Sequence, residues 1–322
     1  MGPNLAPRMA AVCCVILASA VAGCAGSGAN STNYVPILRY GIPLRFDALP
    51  VHVRHARSHA EVYVSDSLNN IVKGYDQKTG DLDIELTGFN TPMGLATDAD
   101  GNLYVADSGN QRVLVFTPGA TQPFLTLDDA GWYPTGVAVS KIGEVAVTNN
   151  MSQGSFPGSV TFFKKGRPNV FREFDGPLFA YPYFCAYDAR GNLYLDAVDI
   201  DGRTSVIEVV RRPTGKVIKS LGIKNVRFPG GVQVDDSGRL LVLDQYSSIL
   251  FVYVPPSRKP QEALKLNGAG DPVTVALASK DTAIYVADAQ LETALRYPFP
   301  AGGDPTQQIS VGGLPIGVAL TQ

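Results

Sequence analysis

All three histidines of this 322-residue chain fall within one octapeptide, HVRHARSH, as His52, His55 and His59. Imidazole is the commonest metal-ligating side chain and the usual acid–base group near neutral pH. A cluster of this kind could therefore hold a metal or carry out catalysis. On a helix the three side chains would share one face, as a metal site requires. The flanking residues Val51, Val53, Val62 and Val64 instead alternate as in a strand. In a strand His52 and His55 point to opposite sides. The octapeptide is therefore expected to be a solvated, basic lead-in to the folded domain, and its main message is negative. No histidine follows residue 59, so a Ser–His nucleophilic pair has no source in the rest of the chain. A Gly-rich phosphate loop and a C-x-x-C pair are also missing.

The chemistry of the first residues is that of targeting. Arg8 precedes an apolar run of 14 residues, 9–22, which is short for a membrane-spanning helix. The run ends in VAGC, Val21 to Cys24, which resembles the lipobox of bacterial lipoproteins. The resemblance implies a signal peptide over 1–23, cleavage after Gly23 and a lipid on Cys24. Residues 24–33, CAGSGANSTN, then read as anchor and flexible linker, and residues 34–58 as an N-terminal extension. No aspartate follows Cys24, which by resemblance to the enterobacterial sorting rule points to the outer membrane, if the source has one. Cys13 and Cys14 would leave with the signal peptide. Cys185, in the apolar run YFCAY, is then alone and expected to be core filler without a disulfide. A net charge of -2 and the lack of a basic patch argue against nucleic acid as a partner.

The elements that must position any site emerge from internal repeats. Copies of one pattern begin at Pro92, Pro134, Pro182, Pro229, Pro272 and Pro315, at intervals of 42, 48, 47, 43 and 43 residues. Each of the first five copies reads as a short strand with small residues, a tight turn, and a second strand. The turns DADG, DARG and DDSG place Asp first, to accept backbone N–H groups, and Gly last, where positive φ is needed. A third strand follows (RVLVF, SVTFF, SVIEVV, ILFVYV, ALRYPF), then a weaker fourth. Four strands per 40–50 residues, with no helical periodicity, predict an all-β, six-bladed β-propeller of four-stranded antiparallel blades over 59–322.

The segment VADSGNQRVLVF, 105–116, resembles the NHL repeat, with Asp, two residues, Asn, one residue and Arg. VSDSLNNIVKGY, 64–75, resembles it with the Arg lost. Two segments compete for the innermost strand of blade 1. Residues 51–55 would bring Arg54 and His55 to a crowded axis, where unpaired charge is costly. PIGVAL, from Pro315, carries Gly317, Val318 and Ala319, so closure of the ring by the C-terminal strand is expected.

The side where strand one starts and strand two ends is the expected binding face. Asp66, Asp107, Asp244 and Asp288 recur there, and their regularity points to capping of backbone N–H groups. Departures from the repeat make better site candidates, namely Asn149, Asp196 and Gln245. Aromatic residues crowd the approaches to blades 3 to 5: Trp132, Tyr133, Phe179, Tyr181, Tyr183, Phe184 and Phe228. Trp132, Tyr133 and Tyr183 are taken as ligand-binding candidates beside the lengthened loops 149–159 and 196–205. The expected function is a non-catalytic, lipid-anchored, extracytoplasmic monomer without a cofactor. It would bind a protein, peptide or glycan. The alternative is a metal-dependent hydrolase similar to the gluconolactonase type, with a divalent cation on an irregular set of Asn149, Asp196 and Asp271.

Overall fold

A computed structural model describes residues 61–152, 157–175, 181–198, 205–211, 216–223 and 225–321. Cys24, the linker, the three histidines, Phe179 and residues 153–156 and 199–204 of the two long loops lie outside the described residues.

The described strands form six four-stranded antiparallel sheets, each a blade. Within blades 2 to 6 the strands follow one another from the axis outward. The innermost strands are Pro92–Thr97, Trp132–Val139, Tyr181–Tyr187, Pro229–Val234 and Pro272–Leu277. Blade 1 takes its innermost strand from the other end of the chain. Pro315–Leu320 pairs antiparallel with Glu61–Asp66, Val62 facing Leu320 and Val64 facing Val318. The C-terminal strand thus closes the ring, because small and apolar residues suit the axis and Arg54 and His55 do not.

Turn chemistry follows the repeat. In DADG, Asp98 Oδ1 accepts N–H bonds from Asp100 and Asn102, and Gly101 has φ 79°. The DARG turn at Asp188 repeats this with Arg190 and Asn192. Gly136 is required for a different reason. A Cβ there would lie 2.6 Å from Tyr183 O and 2.8 Å from Phe184 Cα, so neighbouring inner strands touch backbone to backbone.

Each sheet is too thin to bury its own hydrophobic faces, so the core is distributed between blades. Leu243, Leu250 and Leu264 of blade 5 pack on Val275, Ile284 and Tyr297 of blade 6. Blade 6 packs in turn on Val62, Val64, Val318 and Leu320 of blade 1, which makes the closing strand part of the core as well as of a sheet.

Side chains also stitch inner strands across blades. Ser65 Oγ donates to Met93 O from blade 1 to blade 2, and Thr135 Oγ1 to Pro182 O from blade 3 to blade 4. Thr274 Oγ1 donates to Ile316 O from blade 6 to blade 1.

Candidate functional site

Strand two of most blades ends in an aspartate that faces the first proline of the same blade: Pro92 opposite Asp107, Pro229 opposite Asp244, Pro272 opposite Asp288 and Pro315 opposite Asp66. Each carboxylate accepts N–H bonds from the linker that feeds that proline. Asp107 takes Asn90 N at 2.7 Å, Asp244 takes Arg227 N and Phe228 N, Asp288 takes Gly270 N and Asp271 N, and Asp66 takes Leu314 N. In blade 2, Asp107 also pairs with Arg112 Nε at 2.7 Å and accepts from Asn110 Nδ2. The recurring aspartates are thus brackets that hold linker and turn together.

Blade 4 is one residue out of step, with Pro182 facing Ala197. Side chains alternate along a strand, so a one-residue shift sends Asp196 to the opposite face of the sheet. There it is fully buried and accepts Phe184 N at 2.6 Å from its own blade and Gly231 N at 2.9 Å from blade 5. Burial pushes its carboxyl up to about 7, and the two backbone donors pull against that rise. Asp196 is therefore an inter-blade clamp. Gln245 is 7% exposed and spans blades 5 and 6 through Nε2 to Val273 O at 3.5 Å. Asn149 stands in register opposite Pro134 and turns its amide into blade 3, toward Ser159 and Thr161. Burial and the neighbouring Asp288 push the carboxyl of Asp271 up to about 6. Among the described residues, no three His, Cys, Asp or Glu side chains converge as a metal-binding group.

The aromatic candidates lie elsewhere on the same face. The inner strand of blade 3 has eight residues and that of blade 4 seven, against six in each of the other blades. The extra length is a raised hairpin, Trp132 pairing with Ser152, and a shorter rise, Tyr181 pairing with Val198. Trp132, Tyr133, Tyr181 and Tyr183 are all half-buried, each ring partly open to solvent. Tyr183 packs on Phe228 of blade 5 with ring centres 5.9 Å apart. The adjacent Arg227 lies 4.8 Å above the ring of Tyr246, which is 53% exposed. Tyr246 and Arg227 extend the rim to blade 5. A sequence signal for Tyr246 existed, since it follows Asp244 and Gln245 at the end of strand two, where DQYSS stands in place of DSGNQ.

A channel of about 410 Å³ runs along the axis on the other side. Its wall runs from glycines such as Gly94, Gly136 and Gly317 to the hairpin turns at Asp98, Asp188 and Asp235. Those three carboxylates are already engaged by turn N–H groups, so the channel offers backbone and small side chains more than a convergent polar set.

Similarity to known proteins agrees with this architecture. The profile of the NHL repeat matches residues 89–116, the stretch that contains Asp107, Asn110 and Arg112. No curated protein matches the chain in sequence. Among solved structures, a chain of a nidogen/laminin complex has a TM-score of 0.66 at 16% identity, over 82% of this chain and 98% of that one. A Bacteroides caccae protein of unknown function has a TM-score of 0.63 at 13% identity, over 82% and 100% of the two chains. Hydrazine synthase of Kuenenia stuttgartiensis has a TM-score of 0.60 at 13% identity, over 86% and 92%. At these identities the likeness is one of fold.

Proposed function

This chain is a six-bladed β-propeller carrying an NHL repeat, and we propose that it is a non-catalytic binding protein, tethered through a lipid on Cys24. Its ligand, a peptide, protein segment or glycan, lies against the raised rim of blades 3 to 5. The observation that carries this reading is the lengthened hairpin of blade 3. It carries Trp132 and Tyr133 two residues beyond the usual start of the inner strand, at the end of the ring where Tyr183 packs on Phe228 and Arg227 on Tyr246. Aromatic rings with a polar tip give large contact area at little entropic cost, and they suit sugar faces and peptide side chains alike. The polar candidates Asn149, Asp196 and Gln245 are buried with their bonds directed into the ring, which leaves the aromatic residues as the exposed candidates.

The test is a panel of glycans and extended peptides offered to the wild type and to the Trp132→Ala and Tyr246→Ala variants. Binding that weakens in both variants supports the rim. No binding at all, or binding untouched by either change, refutes it. The anchor is tested separately by fatty-acid labelling of the full chain in cells. Label that persists in Cys24→Ser removes Cys24 as the lipid site.

A further inference from the structure

Blade 3 departs from its sisters a second time, in the layer it shares with blade 2. In blades 1, 2, 5 and 6 a strand-two aspartate brackets the linker, but here a carboxylate sits in the linker itself. The strand carries Asn149, and the linker carries Asp129. The register of Asp129 is set by its backbone. Its N–H donates to the carbonyl of Gln111, just as Leu266 N–H donates to Ser248 and Val311 N–H to Glu292. Gln111, Ser248 and Glu292 are the positive-φ residues of equivalent turns. Leu266 and Val311 are apolar members of inter-blade cores, so Asp129 occupies a hydrocarbon position. Thr161 likewise stands where blades 2 and 6 have Leu114 and Leu295, two residues beyond the partner of the strand-two Asp or Asn.

Asp129, Asn149, Ser159 and Thr161 are each 0% exposed. Asn149 Nδ2 donates to Ser159 Oγ at 3.2 Å and to Thr161 Oγ1 at 3.3 Å. Both oxygens of Asp129 and Oδ1 of Asn149 are left without a hydrogen-bond partner. All three orphan atoms are acceptors. Burial pushes the Asp129 carboxyl up to about 7, and the negative charges of Glu173 and Asp128 add to the rise. Thr161 and Asn149 lie close enough to offset part of it, without making well-formed bonds to the carboxylate oxygens. An unpaired carboxylate in such a place needs positive charge.

We propose that Asp129, Asn149, Ser159 and Thr161 form a site for a hard, oxygen-seeking cation, calcium or sodium, between blades 2 and 3. The donors are carboxylate, amide carbonyl and hydroxyl oxygens, the set that such ions prefer, with no nitrogen or sulfur to favour zinc or copper. The cation supplies the charge that the layer lacks and satisfies the three orphan acceptors together. It also fastens the foot of the raised hairpin, because Trp132 N–H donates to Asp129 O at 3.1 Å. The site is independent of what the rim binds.

The experiment uses the full chain, stripped with chelator in choline chloride. Its thermal midpoint is followed as CaCl2, NaCl or MgCl2 replaces choline chloride at constant ionic strength. The expected result is a saturable rise with calcium or sodium but not with magnesium, reaching about 5 °C at a hundredfold excess over the dissociation constant. Which salt produces the rise identifies the ion. Asp129→Leu installs the side chain that blade 5 carries at this place, and it should fold and lose the rise. Thr161→Val keeps the volume and removes one ligand, and should raise the half-saturating concentration about tenfold; it decides the matter if Asp129→Leu does not fold. The proposal is overturned if the wild type shows no saturable rise, or if both variants respond as the wild type does. It is equally overturned if the midpoint moves with pH and with no cation, because a proton or a water then satisfies Asp129.

Discussion

Replacing Asp196 by alanine should loosen the ring between blades 4 and 5. The side chain is fully buried and accepts two backbone N–H groups, Phe184 at 2.6 Å and Gly231 at 2.9 Å. Truncation leaves both donors buried without a partner, at about 1–3 kcal/mol each, so the expected loss is about 4 kcal/mol. For a domain of this size that corresponds to a fall in thermal midpoint of roughly 10 °C. The carboxyl adds a pH signature. Its folded pKa, about 7, lies above the ordinary carboxylate value of 3.8, so the native state holds the proton more tightly than the unfolded chain does. The stability from this group is therefore fully present below pH ~4 and is lost as pH rises through ~7, at about 1.4 kcal/mol per unit. Asp196→Asn cannot titrate and should remove that share of the slope. The assay is urea unfolding of wild type, Asp196→Ala and Asp196→Asn between pH 5 and 8. The clamp is refuted if the alanine variant loses less than about 1 kcal/mol, or if the wild-type and asparagine slopes coincide.

Gly136→Ala places a methyl 2.6 Å from Tyr183 O and 2.8 Å from Phe184 Cα, both backbone atoms, and should abolish cooperative folding by circular dichroism; a native melt would show that the axis can yield. Deleting residues 315–322 removes buried Ile316, Val318 and Leu320. At about 1.5–3 kcal/mol per side chain that loss rivals the net stability of a domain, so the truncated chain should show no cooperative thermal transition. Tyr246→Ala, at a residue 53% exposed, should cost no more than about 1 kcal/mol, the worth of its contact with Arg227. The same change should weaken ligand binding about tenfold, as expected for loss of one aromatic contact. Phe124→Ser, at a side chain 57% exposed just before strand four of blade 2, should leave binding unchanged, and a change there would move the ligand away from the rim.

The blade pattern was legible because local solutions recur, the proline in six copies, the Asp-x-x-Gly turn in three and the strand-two Asp opposite the proline in four. Proline at the start of the inner strand, Asp-x-x-Gly at the turn and Asp at the end of strand two each serve a local hydrogen-bonding need, so each survives in the sequence as a motif. Closure was legible too, since the residues competing for the axis differ in charge. The roles of the site residues were less visible. Asn149 and Asp196 stood out as departures from the repeat, but only the register shift at Pro182 shows that Asp196 faces blade 5. Asp129 carried a signal that period counting alone misses. LDDAGW aligns with LKLNGA and ISVGGL, and puts the Asp129 carboxylate where a leucine or valine belongs. Finding it requires knowing that this slot is core, which depends on packing between blades and not on any single repeat. Tyr246 and Arg227 were hidden for a similar reason, because their contact joins a turn to a linker that lies 19 residues earlier in the chain.

Closure by the C-terminal strand also gives the disc a front and a back. Glu61 begins strand two of blade 1 beside Leu320 and Thr321, where Thr321 N–H donates to Glu61 O at 3.0 Å. That is the hairpin-turn side, onto which the axial channel opens, and the aromatic rim lies on the opposite side. Glu61 and Thr321 therefore lie together on the channel side, on the face away from Trp132, Tyr183 and Tyr246.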